Sequence, residues 1–253
     1  MEFTATGKGL MFVNSKIGEP DILSESQFLK WYDEDHIPEA LRTSGMNSGY
    51  RCLDIEHVKG NKVERPYLCL YQIDDLAFLR TTEFKSIGVT SPLLPTSDPV
   101  FEFVDFDVRY AKLVETYDPT NKGPGKTGSV LVAILQAGDN LTDEEIDRWY
   151  REEHIPGFNG LPGFLRATRY ETVFGRANRD FDEQQKMSGN LSVPKHITIY
   201  EFETPGIDME AVLKKGGTEW TKKVVAGCSF VSSSVFQVAR LHGDKTLHHG
   251  ITL

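Results

Sequence analysis

The chain has 253 residues, 39% of them hydrophobic and 26% charged, enough apolar material for a packed core and too much for wholesale disorder. Its formal net charge of −9 excludes the basic footprint that a nucleic-acid face requires. Cys52, Cys69 and Cys228 are few and widely spaced, so they form neither a disulfide framework nor a CxxC metal pair. No run approaches the roughly 20 apolar residues of a membrane span, and Met1-Glu2-Phe3-Thr4 opens without a basic leader followed by an apolar one. The expectation is a soluble, cytoplasmic protein with no nucleic-acid or membrane partner.

In chain order, residues 9–14 read as a short buried strand. Ser24 with Gln27 three positions later forms a capping box, so a helix begins there. Phe28, Trp31 and Tyr32 lie at i, i+3 and i+4 and give that helix one apolar face. Pro38 is expected to stop it near His36, because the residue before a proline avoids the helical region. Strands are expected over 49–56 and 67–73, and a helix over about 76–86. A proline-containing connection then leads to a strand over 100–108 or a little beyond.

The second half repeats this order. The string Trp31-Tyr32-Asp33-Glu34-Asp35-His36-Ile37-Pro38 returns as Trp149-Tyr150-Arg151-Glu152-Glu153-His154-Ile155-Pro156, an offset of 118 residues (149 − 31 = 118). Thr142 and Glu145 supply the second capping box at the same offset. Strands are expected over 129–135, 164–173, 196–202 and 229–238, a helix from 206 to 215, and an extra polar loop over 175–190. Each half therefore reads β-α-β-β-α-β, the ferredoxin-like order. Such a unit leaves one sheet face bare, and that face must be buried. The expected fold is α+β: two tandem ferredoxin-like repeats, 1–117 and 128–241, packed sheet to sheet as a pseudo-dimeric α/β barrel within one chain. Residues 118–127 form the linker and 242–253 a polar tail, either loose or wrapped on the partner half. Gly125-Lys126-Thr127 in the linker imitates the end of a phosphate-binding loop, but Thr120 stands where the first glycine belongs and a strand follows instead of a helix.

An aromatic pair, a run of acids and then His-x-Pro on the first helix of such a unit resembles the dimeric α/β-barrel superfamily, with the nearest likeness to EthD-type domains. There the helix reads Tyr-Trp-x-x-x-His-x-Pro; here the aromatic order is reversed in both copies. The resemblance implies a small aromatic or polyketide-like ligand held between sheet and helices. It also implies isomerisation, decarboxylation, cyclisation or oxidation without a cofactor. A subset with fused repeats binds haem through a His, and fungal EthD-like relatives act as decarboxylases on anthrone-type polyketides.

On the residues themselves, His36 and His154 each follow a tyrosine by four, placing Tyr32 with His36 and Tyr150 with His154 on one helix face. A His at a helix C-terminus beside Asp35 or Glu153 is expected to favour protonation and to act as general acid or base. Tyr32 and Tyr150 orient a carbonyl or share the proton. Arg51 and Arg169, on the next strand, are candidates to hold a carboxylate or enolate, and Tyr71, Tyr200, Trp31 and Trp149 to line the clefts. The competing structural reading makes each His a helix cap, packs the Trp and Tyr rings in the core, and pairs the arginines with Glu56 or Glu171. Metal binding is not expected, His248-His249 in the tail included. The function expected is a cofactor-independent lyase or isomerase using His acid–base chemistry, as a monomer with internal pseudo-twofold or as a homodimer. The alternatives are a non-catalytic small-molecule binder and, behind it, a haem protein.

Overall fold

The computed structural model describes residues 4–178 and 193–250. Its first half runs β1 (Gly9–Ile17), α1 (Glu25–Trp31), a π-helical turn (Tyr32–His36), α2 (Ile37–Leu41), β2 (Met46–Asp54), α3 (Ile55–Val58), β3 (Tyr67–Ile73), a 3-10 turn (Leu76–Arg80), α4 (Thr82–Lys85), a second 3-10 turn (Val100–Glu102) and β4 (Val104–Tyr117). The second half runs β5 (Ser129–Ala137), α5 (Asp143–Trp149), a π-helical turn (Tyr150–His154), α6 (Ile155–Gly157), β6 (Phe164–Ala177), β7 (His196–Phe202), α7 (Met209–Gly216), α8 (Glu219–Gly227) and β8 (Cys228–Gly243).

The strands close into one antiparallel barrel in the order β1-β3-β2-β8-β5-β7-β6-β4. Each half contributes four strands, β4-β1-β3-β2 and β8-β5-β7-β6, joined at the β2–β8 and β4–β6 seams. This is the tandem ferredoxin-like architecture expected from the repeated element order. Strand alternation divides the core in three. Leu10, Phe12, Leu68, Leu70, Val130, Ile197 and Ile199 fill the barrel interior from both halves. Tyr67, Cys69 and Tyr71, on the opposite face of β3, pack outward against Phe28 and Trp31 of α1. The second half repeats that outer layer with Tyr200, Ile146 and Trp149. All seven residues of β3 and of β7 are buried, because both faces of these central strands are covered.

Several local expectations are corrected. Thr142 and Glu145 form a full capping box, whereas Ser24 accepts from the Gln27 N–H and its hydroxyl bonds the Gln27 Oε1. Pro38 does not end the first helix. The chain widens into a π turn, the Ile37 N–H reaches back to the Tyr32 carbonyl, and helix resumes with proline in its first turn. That is where its missing N–H costs least. The helix expected over 76–86 is broken into a 3-10 turn and the single turn α4. The strand expected from 100 begins after a 3-10 turn and extends to Tyr117, and the helix expected from 206 starts at Met209. Of the loop expected at 175–190, residues 175–177 extend β6, and 179–190 lie outside the described residues.

The tail after β8 turns at Gly243, at φ +63, where a Cβ would sit 2.1 Å from the Asn47 carbonyl oxygen. It then plugs one end of the barrel: Leu247 enters the interior cluster, the His248 N–H donates to Gln72, and His248 Nε2 lies 2.8 Å from the Gly9 carbonyl.

Candidate functional site

The repeated string occupies the π turn in both halves. A π turn brings residues five apart over one another, and the rings follow that period. His36 lies flat on Trp31 at 4.6 Å and 19°, and His154 on Trp149 at 4.1 Å and 26°. The i, i+4 partners expected on one face meet only edge-on, at 5.9 Å for Tyr32–His36 and 5.8 Å for Tyr150–His154. π turns inside α-helices recur at functional sites, and here the same turn is built twice.

The helix continues past each His, so neither His ends a helix, and protonation is not favoured. Burial lowers both imidazoles to about 4, against small opposing effects of the Gly88 backbone and Asp35 on His36. Both rings are neutral at pH 7. The folded chain resists protonation that the unfolded chain accepts near 6.5, so this part of the stability is complete above that value and lost as pH falls toward 4. An NMR titration from pH 8 to 5 is expected to leave the His36 and His154 ring shifts unmoved; a midpoint above 6 for either would refute the burial argument. Burial likewise pushes the Tyr32, Tyr71 and Tyr200 phenols well above their ordinary range and Tyr150 up to about 12, which makes them hydrogen-bond donors at neutral pH.

Arg51 and Arg169 stand at the two barrel seams with their charge already matched. Arg51 grips Asp33 through Nε at 2.6 Å and Nη2 at 2.8 Å, and Arg240 and His242 of β8 converge on the same carboxylate. Burial opposes ionisation of Asp33, but His242 and Arg51 outweigh it and hold the carboxyl well below the usual range. Arg169 pairs with Glu115 at 2.5 Å and Asp147 at 2.8 Å, and covers the Tyr150 ring at 4.5 Å. The partners are therefore Asp33, Glu115 and Asp147, and not Glu56 or Glu171. Trp31 and Trp149 are each 2% exposed and belong to the two outer cores.

The clefts are unequal. In the first half Trp31, Tyr32, His36 and Tyr71 line a cavity of about 520 Å³, closed elsewhere mostly by apolar residues such as Met11 and Phe106. His36 Nδ1 is buried there without a hydrogen-bond partner, a state that costs roughly 1–3 kcal/mol. In the second half Phe158 stands 118 residues after Ala40 (158 − 40 = 118). Its ring stacks on Tyr200 at 4.4 Å and meets the edge of His154 at 5.3 Å, filling the space that Ala40 leaves open. Helix α8 closes this cleft further: Thr221 accepts from Trp149 Nε1 at 3.1 Å and lies 3.5 Å from His154 Nδ1. Its counterpart α4 is one turn long.

Three contributors to the open cleft were not singled out by sequence reasoning. Lys85 ends α4, and Arg176 and Asn178 come from the other half. The Asn178 amide accepts from the Phe106 N–H and donates to the carbonyls of Phe101 and Val104, pinning the end of β6 to the cleft wall. No sequence motif marks these three, whereas the Ala40/Phe158 difference is visible once the repeats are aligned.

No family model matches the chain. It is 25% identical over 209 residues to core atranone cluster (CAC) protein 1 of Stachybotrys chlorohalonatus (strain IBT 40285), covering 77% of this chain and 82% of that one. Among solved structures, an anthrone oxidase-like protein superposes with a TM-score of 0.52 at 14% identity, covering 96% of both chains. A mutant chlorite dismutase from Candidatus Nitrospira defluvii gives 0.53 at 12% identity, covering 94% of this chain and 93% of that one. At such identities the likeness establishes the fold. The structural neighbours thus include a chlorite dismutase, and that finding corrects the expectation of a strictly cofactor-independent lyase or isomerase driven by His acid–base chemistry.

His36 and His154 are the candidate axial ligands of a haem. An axial ligand must aim its lone pair into a flat open slot. His36 Nδ1 is sealed from any water-sized space and its ring is clamped on Trp31; His154 Nδ1 faces Thr221 behind Phe158. Neither Nδ1 is placed to take an axial iron bond. Among the described residues no group of three or more His, Cys, Asp or Glu could hold a metal ion, and no helix is long and apolar enough to cross a membrane.

Proposed function

We propose that the chain is an oxidoreductase of small-molecule biosynthesis whose substrate is an apolar, ring-containing compound bound in the cleft of the first half. The observation that carries this reading is the cavity of about 520 Å³ walled by Trp31, Tyr32, His36 and Tyr71. A pocket of this size, apolar with a few convergent polar groups, has the form of a small-molecule site. The names of the relatives support the chemistry: one belongs to a biosynthetic cluster, and the structural neighbours are an anthrone oxidase-like protein and a chlorite dismutase.

In this reading Trp31, Tyr32 and Tyr71 embrace the rings, and the neutral His36 ring forms part of the inner wall. His154, Tyr150, Trp149 and Tyr200 are the filled counterpart, and Arg51 and Arg169 lock the seams. The repeats are 1–117 and 128–241 with 118–127 as their joint. The chain is self-sufficient as a monomer, because its barrel already buries the sheet face that a single repeat would present to a second copy. The EthD-like helix is its ancestry.

Anthrone incubated with the purified chain under air, with and without added hemin, tests the reaction class. Product at a higher oxidation level than the substrate, formed faster than in the protein-free control and lost in His36→Ala, is expected. Conversion at an unchanged oxidation level would assign a different reaction class.

A further inference from the structure

The cleft also carries charge information. The chain bears a net charge of −9, yet among the described residues no Asp or Glu lines the cavity, and the charged residues that do, Lys85 and Arg176, are both cationic. Both are exposed, as groups at a mouth should be. They arrive from different halves, Lys85 at the end of α4 and Arg176 near the end of β6. Arg176 is a positioned cation: its guanidinium lies 5.8 Å from the centroid of the Tyr110 ring, and Tyr110 is itself stacked on Phe174 at 6.1 Å. The buried arginines Arg51 and Arg169 are neutralised by their own carboxylates and do not compete for an anion. The interior walls near Trp31 and Tyr71 are aromatic and apolar.

We propose that this cleft selects an aromatic carboxylate, with its rings among Trp31, Tyr32 and Tyr71 and its carboxylate at the mouth between Lys85 and Arg176. The proposal rests on the reading of the cleft as the substrate site. It adds the charge and the orientation of the ligand: the polar head stays at the rim, and the ring end remote from it meets His36. Two solvent-exposed ion pairs contribute modestly and are screened by salt, so the selectivity is set near tenfold.

Two probes of the same ring system separate the parts of the argument. Anthracene-9-carboxylate and the neutral 9-anthracenemethanol are titrated into the full chain by isothermal calorimetry at low and at high salt. The carboxylate is expected to bind about tenfold more tightly, with the advantage shrinking as salt is raised. In Lys85→Gln/Arg176→Gln the two affinities should converge while that of the alcohol stays the same. Equal wild-type affinities for both probes, blocked together by Ala40→Phe, would overturn the charge selection and leave the cleft reading standing. Failure of both probes to bind wild type, or binding that survives Ala40→Phe, would overturn the cleft reading itself. The salt series on the unmodified chain needs no variant, so a variant that failed to fold would not rescue the proposal.

Discussion

Ala40→Phe is expected to abolish ligand binding and turnover while leaving the fold intact, a loss of at least about 100-fold. Phe158 shows where the added ring goes, since it occupies the equivalent space in the second half, stacked on Tyr200 as the new phenyl would stack on Tyr71. The first half already holds a cavity of about 520 Å³ beside Ala40, so the ring enters empty space rather than overpacking a filled core. The melting temperature should hold or rise. The reciprocal change, Phe158→Ala, removes a ring that is 1% exposed and should cost roughly 3–5 kcal/mol. Calorimetry with the anthracene probes is expected to give one site in Phe158→Ala, because α8 still covers the second cleft. Undiminished binding in Ala40→Phe would show that the chemistry lies elsewhere.

The second large effect is on stability. Arg166 is fully buried, paired with Asp118 at 2.9 Å and Glu201 at 3.4 Å, and Glu201 also meets His249 of the tail at 3.0 Å and the Thr127 hydroxyl. Replacing Arg166 with Met removes the cation that Asp118 and Glu201 share and is expected to cost roughly 3–5 kcal/mol. In a chain of this size that lowers the melting temperature by about 10 °C. Adding Glu201→Gln should recover part of the loss, since the two sites share one network. Burial opposes ionisation of Glu201, but His249, Arg166 and Thr127 outweigh it and hold the carboxyl below its ordinary value. Its contribution is therefore present above the unfolded carboxylate range and lost as pH falls through the depressed folded value. Chemical denaturation of wild type and Arg166→Met at pH 7 and at pH 4 checks both statements; equal stability of the two proteins at pH 7 would refute them.

The element order and the pseudo-twofold were legible because they rest on local chemistry: capping residues Thr142 and Glu145, the apolar spacing of Phe28, Trp31 and Tyr32, and buried runs such as 67–73. Pro38 misled, because the rule that a proline ends a helix does not include the π turn that absorbs it. The histidine pairing misled for the same reason, since a period of four was assumed where the turn imposes five. The partners of Arg51 and Arg169 were not legible in sequence because Asp33, 18 residues earlier, and Glu115, 54 residues earlier, become neighbours only when β2 and β6 are laid beside the helices and strands that carry those acids. The tail was legible as polar and as either loose or wrapped on the partner half. Its burial depends on Gln72, Glu201 and Arg166 pointing into one end of the barrel, an arrangement that exists once the strands have closed.

The joining of both halves in one polypeptide has a consequence for how such a protein can change. In a homodimeric barrel every substitution appears in both clefts at once, so a residue that improves one as a catalyst must be tolerated by the other as a scaffold. Here position 40 and position 158 are separate letters of one gene. One copy has been free to trade its opening for rigidity, and the other can drift toward new ligands while its twin holds the barrel closed.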